Sequence, residues 1–108
     1  MRWLPRRRFR QARGMSTAQP QPPEMTFLKF LQGLVIEAQV QLGVLPHPAT
    51  GERVVNLAYA RATVRIVEML RDKAQGNLTH EEEDYLRGAI MGLGNKLKQA
   101  EDQAEVMR

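Results

Sequence analysis

Four residues, Gly76-Asn77-Leu78-Thr79, interrupt two long stretches of helical periodicity and leave the chain few ways to fold. After the break, Leu86, Ile90, Leu93, Leu97, Ala100, Ala104 and Met107 recur at alternating steps of four and three. That spacing holds them on one stripe of an α-helix, the pattern of helix-on-helix packing. Before the break, Leu57, Ala60, Val64, Val67, Leu70 and Ala74 form a similar stripe. Two striped helices joined by so short a turn can bury their stripes only by folding back on each other. The expected centre of the fold is therefore an antiparallel αα-hairpin, with helices over about 57–75 and 80–106.

The turn carries its own signals. Gly76 suits the left-handed residue that ends a helix, and Asn77 tolerates the same region. Thr79-His80-Glu81-Glu82 reads as a capping box, with the Thr79 hydroxyl and the Glu82 carboxylate each accepting from the other's amide. Glu81, Glu82, Glu83 and Asp84 then crowd the first turn, where the positive end of the helix dipole favours carboxylates. A metal site would need ligands converging from one face, whereas consecutive acids radiate around the helix, so the run reads as a solvated cap. Leu78 would staple to position 83 in an ideal helix start, but that residue is Glu83, so Leu78 is expected to pack against the end of the preceding helix.

A third helix is expected over about 26–42, with Thr26 as its N-cap. Phe27, Phe30, Leu31, Leu34, Ala38 and Leu42 make one stripe, and Leu28, Val35, Ile36 and Val40 widen the apolar surface beyond it. Such a helix must be covered on more than one side. Lys29, Glu37 and three glutamines argue against a membrane span, because each charge at bilayer depth costs about 2.5–3.5 kcal/mol. Gly43, Pro46, Pro48 and Gly51 end the helix in a loop over 43–55, long for a helix connection. The loop lacks converging acid, base and nucleophile groups, and is expected to cross the end of the bundle with Val44 and Leu45 as a plug. Asn56 is a good cap for the helix that follows.

Residues 1–25 are expected to form a disordered tail, Arg-rich and then Pro-rich, ahead of a helical domain over 26–108. The formal charge of +4 belongs to that tail. Six of the sixteen bases lie in residues 1–14, and the remainder carries ten bases against twelve acids, a net −2. Met15-Ser16-Thr17 makes a plausible start, so residues 1–14 are read as translated upstream DNA, with a natural solvated tail as the alternative. A third possibility is a nucleic-acid arm, in which Arg6, Arg7, Arg8 and Arg10 grip phosphates while Trp3 and Phe9 stack. The absence of cysteine excludes disulfides and thiolate chemistry and fits a cytoplasmic protein. With only His47 and His80, no His-rich metal site is available.

Several pieces taken together resemble a known family. They are the Leu42-Gly43 helix end, Pro46-x-Pro48-x-Thr50-Gly51, Asn56-Leu57-x-x-Ala60, and Gly76-Asn77-Leu78-Thr79 with the glutamates beyond it. Over about residues 26–98 the chain is similar to the bacterial family of domain of unknown function 1844. The resemblance implies a small, mostly helical protein with no assigned activity, substrate or cofactor, and no catalytic residues to carry over. The arginines of residues 1–14 depart from the short polar leader of that family.

No nucleophile motif, phosphate loop or metal-ligand spacing is present, so neither catalysis nor a cofactor is expected. Gly88 and Gly92, four apart, hint at a close helix approach. Without the tail, about 84 residues must fold unaided by disulfide or metal, near the size at which one core becomes marginal. Self-association relieves both that and the surplus apolar surface of the first helix. The leading expectation is a cytoplasmic interaction module, dimeric by preference, with Phe27, Phe30, Leu34, Leu93 and Leu97 among its core or seam residues.

Overall fold

The computed structural model describes Pro22 and residues 24–107 of the 108. Three helices make up its regular structure: α1 (Phe27–Gln41), α2 (Leu57–Lys73) and α3 (His80–Val106), with no strand among the described residues. The expectations for residues 1–21, including Arg6, Arg7, Arg8 and Arg10, lie outside the described part. No helix is long and apolar enough to cross a membrane among the described residues.

Each helix begins on a side-chain cap. Thr26 accepts from the Lys29 amide, Asn56 from the Tyr59 amide and Thr79 from the Glu82 amide. The third is a full capping box, since the Thr79 amide also donates to Glu82 Oε1 at 2.8 Å. α2 stops two residues short of the expected Gln75. The Gln75 amide tightens onto the Asp72 carbonyl, the Asn77 amide closes a turn on Ala74, and Gly76 takes φ +85°. Leu78 packs against the cluster around Leu31, Val67 and Leu86, as its missing staple partner required.

Two clusters form the core. Leu31, Val67 and Leu86 supply one fully buried residue from each helix. Val35, Ala38, Leu42, Ala60, Val64 and Leu93 form the other, and again all three helices contribute. α1 is thus covered by both other helices, as its breadth of apolar surface demanded. Its buried line is Leu31, Val35, Ala38 and Leu42, so Val35 is a core residue and Phe30 turns outward. Val67 and Leu86 meet near the turn, while Arg61 donates through Nε to Glu101 Oε2 at 2.6 Å much further along both helices.

The loop between α1 and α2 is closed at its base. α1 ends with Gly43 at φ +76°, whose amide donates to the Val40 carbonyl while the Val44 amide donates to Gln39. These paired bonds satisfy carbonyls that the helix end leaves open. At the far side of the loop the Asn56 amide returns to the Gln41 carbonyl at 2.7 Å. Next to it, the buried Thr63 hydroxyl donates to Gln41 Oε1 at 2.7 Å. Val44 and Leu45 are half-buried, and Val44 packs against the core. The tip is held by its own bonds, from the His47 amide to Glu52 and from the Gly51 amide to His47.

Candidate interaction surface

α2 carries two apolar stripes. The inner one, Ala60, Val64 and Val67, lies in the core. The outer one is Tyr59, Ala62, Ile66 and Met69, at steps of three, four and three, the same helical geometry turned about a third of a circle away. Tyr59 is 64 %, Ile66 41 % and Met69 46 % exposed. Single exposed apolar side chains are ordinary on a protein surface. Three large ones in register along one helix make a seam without a partner among the described residues.

Charged residues flank this stripe on one side. Arg65 and Asp72 are seven residues apart, two helical turns, and so share a face. Arg65 makes no ion pair among the described residues. Asp72 holds the Arg71 Nε through Oδ1 at 3.1 Å, an exposed contact that leaves its second oxygen available. Arg61, by contrast, is committed to Glu101 on the side toward α3.

The five residues expected in the core or seam lie at different places in the fold. Leu93 is 3 % exposed and belongs to the core of the protomer, so a second chain has no access to it; Leu97 is half-buried against the same cluster. Phe27 and Leu34 are half-buried around Leu31, Val67 and Leu86 at the other end of the bundle. Phe30 alone stays substantially exposed, at 46 %. Tyr59, Ile66 and Met69 were not anticipated, because the stripe of α2 already in hand accounted for its burial. Their own three–four–three spacing was the available signal.

A groove lies at the end of the bundle away from Gly76. α3 has 27 residues against 15 in α1 and 17 in α2, so it outruns them by roughly 15 Å. Beneath its last turns a groove of about 670 Å³ opens between Ala100, Ala104 and Met107 on one wall and Leu42, Val44, Val55 and Leu57 on the other. Lys96 is the one charged residue in its lining. Among the described residues no group of three or more His, Asp or Glu could hold a metal ion.

Burial between the two core clusters raises the pKa of the Tyr85 phenol above 10.0. The cause is desolvation, with no acid or base bonded to the phenol among the described residues, so the shift belongs to packing.

A family described as a domain of unknown function (DUF1844) matches residues 24–99, which takes in α1, α2, both loops and most of α3. No curated protein and no solved structure matches the chain.

Proposed function

Because the chain belongs to the DUF1844 family, whose description carries no activity, we propose a function from its surface: a non-catalytic helical module that associates with itself through α2. The observation that carries this reading is the second apolar stripe of α2, exposed where the first is buried. Burying a large apolar side chain contributes about 1.5–3 kcal/mol, so Tyr59, Ile66 and Met69 hold a substantial driving force for association. Phe30 extends the available apolar surface from α1. The small core gives a second reason, since nine buried apolar residues stabilise a chain of this size only modestly.

Sedimentation equilibrium tests the reading directly. The wild-type chain is expected to form a dimer at micromolar concentration, and Ile66→Lys with Met69→Lys is expected to be monomeric with unchanged helical circular dichroism. A wild-type chain that stays monomeric there removes the proposal.

A further inference from the structure

We propose that two copies pair α2 against α2 in antiparallel sense, with Arg65 of each reaching Asp72 of the partner subunit. The inference rests on the self-association reading and adds orientation and register to it. Its ground is charge complementarity along the exposed stripe. With Tyr59, Ala62, Ile66 and Met69 as the seam, Arg65 and Asp72 both fall at the outer flank, one heptad apart and opposite in sign. In an antiparallel pair like flanks face each other, so one register satisfies both charges twice.

That register also arranges the seam. Ile66 faces Met69 of the partner subunit and Met69 faces Ile66 of the partner subunit, which places the bulkiest pairs at the dyad. Ala62 leaves room for the aliphatic stem of Lys73 of the partner subunit. A parallel pair would set Arg65 against Leu70 of the partner subunit, a residue half-buried in its own bundle, and would leave both charges without a counter-charge. The two ion pairs therefore select the orientation, as flanking charges do in coiled coils.

Charge reversal tests this without touching the core. In Arg65→Glu both inter-chain pairs become acid against acid, and in Asp72→Arg both become base against base. Each variant alone is expected to dissociate about tenfold more readily at low salt, from two exposed pairs turned repulsive. An equimolar mixture of the two restores both pairs as Glu with Arg and Asp with Arg, and is expected to regain wild-type affinity in sedimentation equilibrium. Circular dichroism of each variant checks that the fold is kept. A mixture no tighter than the single variants, or singles that dimerise like wild type, overturns the register while self-association stands. A monomeric wild-type chain overturns both. Because the chain has no cysteine, Ile66→Cys mixed with Met69→Cys supplies an independent check: the mixed disulfide is expected to dominate, and a predominance of either like pair contradicts the proposed register.

Discussion

A single methyl group separates two kinds of glycine in this chain. Gly43 has φ +76°, and a Cβ built there stands 2.9 Å from the Val55 side chain. Gly92 lies inside α3 in ordinary helical conformation, and its Cβ would meet nothing within 4 Å. Gly43→Ala is therefore expected to destabilise the fold by about 1–2 kcal/mol, from left-handed strain and the clash together. Gly92→Ala is expected to stabilise it by roughly 0.5–1 kcal/mol, by removing backbone freedom from the unfolded chain. Urea denaturation measures both. Tyr85 makes the corresponding case in pH. Burial favours its neutral phenol, so the folded pKa lies above the unfolded 10.0. Below 10.0 both states hold the proton and the contribution is constant. As pH rises through the folded value the unfolded chain has already released its proton, and stability is lost. Tyr85→Phe is expected to flatten that part of the alkaline slope in urea midpoints measured from about pH 9 to about pH 11.

Among the helices, what the sequence disclosed was what repeats or what caps. Thr79 and Glu82 sit at the separation a capping box needs, and local chemistry of that kind does not depend on the rest of the fold. The inner stripe of α2 was legible because it coincides with the core. Its outer stripe obeys the same period, and only the position of neighbouring helices decides which of two stripes is covered. The same limit explains α1, where Val35 and Phe30 exchanged roles: both lie in one broad apolar arc, and the periodicity does not fix the centre of the arc. On α3 the stripe is regular throughout, yet burial fades along it. Leu86 and Leu93 are buried, Leu97, Ala100 and Ala104 half-buried, and Met107 exposed, because the neighbouring helices end first. Amide exchange should follow this gradient, slow around Leu86–Leu93 and fast from Gln103 onward. Uniform protection along α3 would show that its last turns are covered in solution, and would redirect attention to the groove beneath them.

At the scale of the whole molecule, three helices share two modest clusters, and large apolar side chains remain outside on α1 and α2. The proposed dimer on α2 would add stability with the logarithm of chain concentration, so thermal unfolding of the wild type is expected to depend on concentration where that of the Ile66→Lys, Met69→Lys chain does not. The connection from α1 to α2 contributes differently. Its two strands of backbone are fastened where they leave the bundle, by the Asn56 amide on the Gln41 carbonyl and by Gly43 against Val55. Whatever happens at Ala49, Thr50 and Gly51 is therefore isolated from the helices behind that fastening. Chain length can grow or shrink at this outpost for a fraction of a kilocalorie, since even a doubled loop costs only about 0.6 kcal/mol more to close. It is the natural place to graft a foreign peptide without loosening the bundle beneath.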